Sequence, residues 1–303
     1  MSKKLFISSI VATILLGTSP LMANEDSAIN KESAKVQQLT VSKEVKKQKE
    51  AFQEAPKEIV EGFNQTLIAI TALENNKTKE AKSALKSATK SFNKALKADP
   101  ALDIVPFEQE IVVNEFLGSS ASVEKALELA TTMIDNHDTQ SARAVMMPLE
   151  DEMIITTHLI PMKLYPVATE EALKDLEAGK TVEALDILHT SFNTLVTERV
   201  LIPLPLLVAE DLVAEASFLD KAKKEDALKL LSLAQDELQK ALYLGYTKEH
   251  SPAYKALEDE IESIKKEIKG KNVVEKLYDK IKESFTSLIS DSKKDSKEDN
   301  KSK

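Results

Sequence analysis

One pattern returns four times along the chain: an apolar residue, a polar turn, and eight residues later an alanine that opens a new apolar stripe. It reads LENNKTKEA from Leu73 to Ala81, IDNHDTQSA from Ile134 to Ala142, LEAGKTVEA from Leu176 to Ala184 and LDKAKKEDA from Leu219 to Ala227. Three and four positions after each alanine stand Ala84-Leu85, Val145-Met146, Ile187-Leu188 and Leu230-Leu231, which share its helical face. The pattern predicts four helical hairpins, with alanine at each crossing so that antiparallel helices approach closely, as in tetratricopeptide pairing. The alanines are 61, 42 and 43 residues apart, so the hairpins do not repeat with a solenoid's constant period. Thr78, Thr139 and Thr181 are expected to cap the second helices of the first three hairpins. Glu80, Glu183 and Asp226 place negative charge in the first turn, where the helix dipole favours it.

Two stretches break the helical texture. Glu108 to Phe116 (EQEIVVNEF) and Glu152 to Ile160 (EMIITTHLI) are short and rich in β-branched residues, so they read as strands that flank the second hairpin and pair across it. Leu195 to Leu207 (LVTERVLIPLPLL) opens extended, because Pro203 and Pro205 keep the preceding residues out of the α region. These three segments are expected to meet in a common core. Toward the C-terminus, 253–269 reads as a charged helix. Residues 271–290 read as an amphipathic one, with Val274, Leu277, Ile281, Phe285 and Leu288 three or four residues apart. The polar segments 24–43 and 291–303 are expected to be disordered, leaving 44–270 as the folded helical domain.

Composition supports a mainly α class. Only six glycines occur in 303 residues, fewer than a turn-rich sheet protein needs, and helix-forming alanine, leucine, lysine and glutamate dominate. The N-terminus reads as a leader: Lys3 and Lys4 precede the apolar run Leu5 to Leu16, and Leu21-Met22-Ala23 offers a small residue for cleavage after Ala23. That run is shorter than the roughly 20 residues a spanning helix needs. Residues 1–23 are therefore expected to be a signal peptide and the mature chain to be periplasmic, without stable membrane insertion.

Absence of cysteine removes disulfides, thiolate nucleophiles and cysteine-type metal sites. A net charge of −9 leaves no basic footprint for nucleic acid.

Candidate chemistry is sparse. His137, His158, His189 and His250 form no ligand pair at metal-binding spacing. His158, flanked by apolar residues, is the one that suggests proton sensing. Met146, Met147, Met153 and Met162 surround it in sequence and carry soft sulfur for copper(I), but their spacing favours core packing. Glu150-Asp151-Glu152 puts three carboxylates in a row, which diverge on extended backbone and read as a solvated turn. No nucleophile-elbow, phosphate-loop or dinucleotide glycine motif is present. No cofactor and no catalytic residue is expected. Ile160, Pro161, Tyr165 and Pro166, with Ile202, Pro203, Leu204 and Pro205, either line an apolar groove for a ligand or partner or build the core.

The segments ALDIVPFEQEIVV, LEDEMIITTHLIPMKLYPVATEEALKDLEAGKTVEAL and NTLVTERVLIPLPLLVAEDLVAEA resemble the YfdX family of bacterial periplasmic proteins. The distinctive part is the pairing of an IP-x-x-x-YP run at Ile160 to Pro166 with IPLPLL at Ile202 to Leu207, separated by one hairpin. The resemblance spans roughly 100–240. It implies a helical, exported protein associated with acid and antibiotic stress, for which a chaperone-like role has been suggested, and it brings no catalytic residue. The reading is a non-catalytic, stress-related, chaperone-like homo-oligomer that binds unfolded or envelope polypeptides. The alternative is a protein that sequesters a drug, lipid or metabolite without any protein client.

Overall fold

A computed structural model describes residues 10–16, 29–53, 55–219, 223–269 and 280–290. The chain forms β1 (Ile10–Leu16), α1 (Ile29–Ala51), α2 (Lys57–Glu74), α3 (Thr78–Ala98), β2 (Ile104–Glu115), α4 (Ser120–Asp135) and α5 (Thr139–Met146). There follow β3 (Glu152–Pro161), α6 (Tyr165–Glu177), α7 (Thr181–Phe192), β4 (Val196–Pro203), α8 (Leu204–Ser217), α9 (Lys224–Tyr243) and α10 (Pro252–Lys269). A last described helix, α11, covers 280–290. The class is mainly α with a small sheet.

Each expected hairpin is present: α2–α3, α4–α5, α6–α7 and α8–α9. The repeated turn has a local cause. Asn76, His137 and Gly179 take the left-handed conformation at φ 58°, 61° and 80° one residue past the helix cap. In the first turn Asn76 N–H donates to Leu73 O at 2.9 Å and Lys77 N–H to Ala72 O at 2.7 Å. The same crossed pair recurs from His137 and Asp138, and from Gly179 and Lys180. This closes the helix while satisfying its last carbonyls. The residue that completes the turn is already the cap of the next helix, so Lys77, Asp138 and Lys180 hold the cap position. The threonines expected there are corrected to the first helical residue. Only Asp138 caps with its side chain, accepting from Ser141 N–H at 3.1 Å. The turn of the fourth hairpin includes 220–222, outside the described residues.

The strand order is β1-β2-β3-β4. β2 and β3 are antiparallel: Met162 N–H, after the end of β3, donates to Asp103 O, before the start of β2. β3 and β4 run antiparallel too, since Leu204 N–H donates to Asp151 O. β2 begins four residues earlier than its β-branched run suggested. Its burial alternates from Val105 to Glu115, the period-two signature of a half-buried strand.

Contacts divide the chain into two units, so the expected single domain over 44–270 is subdivided. One unit comprises Lys49–Glu110 and Thr156–Glu198 with the described part of 1–11; the other comprises Ile111–Ile155 with the described parts of 12–48 and 199–303. In the first, α2, α3, α6 and α7 enclose an aromatic cluster in which Phe63 lies 4.3 Å from Phe107 and 4.8 Å from Phe192. A second cluster joins Leu73, Leu85, Leu176 and Leu188 around Ala81, Ala84, Ala172 and Ala184. The hairpin alanines Ala81 and Ala184 are fully buried, as close helix crossing requires.

In the second unit, α8 and α9 form the central hairpin, with α4 and α10 against α9. The expected disorder of 24–43 is corrected over 29–43, which lies in α1. This helix buries Val36 and Val41 but also Gln37, Thr40 and Glu44. Its docking stripe is largely polar, so hydrophobic periodicity could not announce it. Ile281, Phe285 and Leu288 are buried on α11 at the expected spacing. Val274 and Leu277 lie outside the described residues, as do the tail 291–303 and most of the proposed leader.

Candidate functional site

Asp151 stands just before β3, where its main chain is pinned on both sides. Its N–H donates to Tyr246 Oη at 3.0 Å, and its carbonyl accepts from Leu204 N–H at 2.9 Å. The side chain therefore turns inward, fully buried. Its Oδ1 accepts from Gln37 Nε2 at 2.9 Å and from Phe116 N–H at 3.3 Å. Its Oδ2 lies 2.9 Å from Lys240 Nζ. Lys240 also meets Glu237 Oε2 at 2.7 Å, one helical turn away on α9, and Ser33 Oγ donates to Glu237 Oε1 at 2.6 Å. Lys240 and Glu237 are only 1% and 2% exposed. The reading of Glu150-Asp151-Glu152 as a solvated turn is thereby corrected at Asp151. The three side chains do diverge: Glu150 accepts from Asn114 at 2.9 Å while Asp151 faces the ammonium.

Two buried carboxylates share one ammonium, and Glu115 sits close enough for its charge to bear on Asp151. Burial raises the carboxyls of Asp151 and Glu237 above their usual range, against the pull of Lys240. Burial also opposes the charge on Lys240, but the two carboxylates outweigh it and hold the ammonium well above its ordinary value. Glu115 is 4% exposed, and burial alone pushes its carboxyl upward; its Oε1 has no hydrogen-bond partner among the described residues.

A lysine that acts as nucleophile or base must be largely neutral near pH 7. Lys240 is held in the opposite state. The adjoining cavity, lined by Ser33, Gln37, Gly118, Asp236, Glu237 and Lys240, measures about 10 Å³. That is room for one water and no substrate. The triad is a clasp that ties α1, the end of β2, the start of β3 and α9 together.

A larger concavity lies on the α4–α5 hairpin, an open recess of about 430 Å³ lined by Ile134, Thr139, Ala142, Arg143, Met146 and Met147. Ile134, Met146 and Met147 are 49%, 46% and 65% exposed, unusually open for large apolar side chains.

The residues singled out from sequence are distributed as follows. Ile160, Tyr165 and Pro166 are buried in the first unit, with Pro161 partly so; Ile202, Pro203, Leu204 and Pro205 are buried in the second. Both proline motifs are strand-to-helix switches: β3 ends at Pro161 and Pro166 opens α6, while β4 ends at Pro203 and Pro205 opens α8. Proline suits this place because the first helical turn has N–H groups without intrahelical partners. The Tyr165 hydroxyl has no hydrogen-bond partner among the described residues, and burial raises its pKa. Met153 and Met162 are fully buried, one in each unit, whereas Met146 and Met147 are exposed. His158 Nδ1 lies 3.1 Å from Thr197 Oγ1, His189 lies 3.6 Å from Glu74, and His137 occupies its left-handed turn. Among the described residues no three His, Asp or Glu side chains gather to hold a metal ion. No described helix is long and apolar enough to cross a membrane.

Helical hairpins around a small antiparallel sheet define the class of the chain. Residues 63–201 match the sequence profile of the family described as YfdX protein. A solved crystal structure of YfdX from Salmonella Typhi is 18% identical and covers 48% of this chain and 90% of its own, with a TM-score of 0.33. No curated protein matches the sequence.

Proposed function

We propose that the protein is a non-catalytic binding protein of the bacterial envelope, chaperone-like toward unfolded polypeptides and acting as a homo-oligomer. The carrying observation is the open apolar recess on the α4–α5 hairpin. Methionine suits such a surface, because its flexible thioether adapts to unlike partners. The charged state of Lys240 supports the non-catalytic side of the reading. Lys3-Lys4, the apolar run to Leu16 and the small residue Ala23 support export with cleavage after Ala23.

The test is suppression of aggregation of a thermally unfolding reporter by the purified protein, with and without Met146→Glu and Met147→Glu together. Both side chains are exposed, so the double variant should unfold within about 0.5 kcal/mol of wild type. At least half of the suppression is expected to disappear. Full activity in the variant would reject the recess as the binding surface.

A second reading is favoured by the recess volume, which falls in the range of small-molecule sites of about 300–1,000 Å³. Saturable binding of an apolar small molecule, without suppression of aggregation, would select it.

A further inference from the structure

β1 consists of Ile10–Leu16, IVATILL, and it is hydrogen-bonded to β2 at the end of the sheet order. Those residues lie within the segment read above as a leader removed after Ala23. Processing at that point takes β1 away and leaves β2 as the edge of the sheet, with a row of main-chain N–H and C=O groups unpaired along up to 12 residues.

The composition of β2 is that of an edge strand. Pro106 lies within it and has no N–H to give to a ladder, and proline inside sheets is confined to edges, strand starts and bulges. The more exposed face of β2 carries Glu108 and Glu110, and the strand has three glutamates and no lysine or arginine. These charges select among partners. A second copy of β2 would set glutamates against glutamates in the antiparallel registers centred on Glu108 to Glu110, and like charges across a ladder destabilise it. The strand seated there has no charged residue, and Lys3 and Lys4 precede it in the sequence.

We propose that the β2 edge, once the leader is removed, is a strand-addition site for an extended, uncharged aliphatic segment with basic residues flanking it. Main-chain hydrogen bonds supply affinity with little demand on side-chain identity, which suits unrelated unfolded chains. The unprocessed chain carries its own occupant and is closed to such partners. This proposal rests on the chaperone-like reading and adds a second surface to it, separate from the α4–α5 recess.

The test uses the processed protein purified from the envelope fraction, with its N-terminus sequenced, and a fluorescent synthetic peptide of residues 3–18. Saturable binding is expected to the processed protein and at least about tenfold weaker binding to the chain that keeps residues 1–23, because its edge is filled. Two further peptides carry N-methyl groups on alternate amides, one at Ile10, Ala12, Ile14 and Leu16, the other at Val11, Thr13 and Leu15. One series should lose about ten- to hundredfold in affinity and the other little, since only every second amide of an added strand faces the ladder. Equal affinity for both series, no binding, or an N-terminus beginning at Met1 overturns the proposal. Retained suppression of aggregation alongside any of these results leaves the chaperone-like reading standing and removes only the edge. Loss of suppression with peptide binding intact removes the chaperone-like reading instead.

Discussion

Lys240 Nζ lies 2.9 Å from Asp151 Oδ2, and neither side chain is more than 1% exposed to solvent. The two residues are far apart in sequence and belong to different elements, α9 and the approach to β3. Glu237, Gln37, Phe116 and Ser33 complete the surroundings of the pair. Ions desolvated to this degree cost several kcal/mol each unless paired and hydrogen-bonded, so every partner in the clasp matters.

Replacing Lys240 by methionine leaves two buried carboxylates without their cation. Lys240→Met should lower the free energy of unfolding by about 3–5 kcal/mol, measured by urea denaturation at pH 7. Adding Asp151→Asn and Glu237→Gln removes the stranded charges and should restore at least half of that loss. A triple variant no more stable than Lys240→Met would show that the cost lies in packing rather than in charge.

Glu115 should leave a mark on the pH dependence of stability. Its folded pKa is raised above the usual value of 4.5 by burial. The stability it contributes is therefore complete below pH 4.5 and is lost as pH rises through the folded value. In Glu115→Gln that loss disappears. The urea midpoint of the variant, relative to wild type, should climb as pH rises from 4.5 through the raised folded value and then level off. A difference independent of pH across this range would mean that Glu115 does not titrate with folding.

The docking of α1 depends on polar contacts more than on apolar area. Gln37→Leu keeps the size of the side chain but withdraws a hydrogen bond from the Asp151 carboxylate. It should cost about 1–3 kcal/mol. Amide exchange should quicken across 33–44, while α2 and α3 keep their protection. Unaltered exchange in α1 would indicate that Val36 and Val41 hold the helix on their own.

Gly62 on α2 is needed for space. A Cβ at this position would meet the Phe92 ring at 2.7 Å. Exchange to alanine normally favours a helix by about 1 kcal/mol. Gly62→Ala should instead destabilise by about 1–3 kcal/mol, and Phe92→Leu in the same chain should reduce that penalty. A rise in melting temperature for Gly62→Ala alone would show that the ring moves aside freely.

The hairpins were legible because their chemistry is local. The recurring step from apolar residue to alanine spans one turn, whose geometry is set by Asn76, His137 or Gly179 and by two main-chain hydrogen bonds within six residues. Strand pairing was legible from β-branched runs on either side of the second hairpin. The threonine caps were misplaced by one residue because the crossed hydrogen bonds of the preceding helix fix where the next one starts. A period of eight does not encode that detail.

The clasp was not legible, although α9 carries a trace of it. Glu237 and Lys240 interrupt a stripe formed by Leu230, Ala234, Leu238 and Ala241, where two charges have no place on an apolar face unless they meet something. Nothing in the sequence says that their partners are Asp151, Gln37 and Ser33. Nor could hydrophobic spacing reveal α1, whose buried stripe includes a glutamine, a threonine and a glutamate.

The sequence by itself determined the mainly α class, the four hairpins, the strands flanking the second and the absence of thiol chemistry. Each follows from composition or from interactions within a few residues along the chain. Only the tertiary structure decided that Asp151 is buried, that Lys240 is locked as a cation, that α1 is docked, and that Met146 and Met147 face outward while Met153 and Met162 do not. Those outcomes depend on exclusion of water by segments distant in sequence. Whether a carboxylate sits in a solvated turn or against an ammonium is settled by the low-dielectric surroundings that the assembled chain creates.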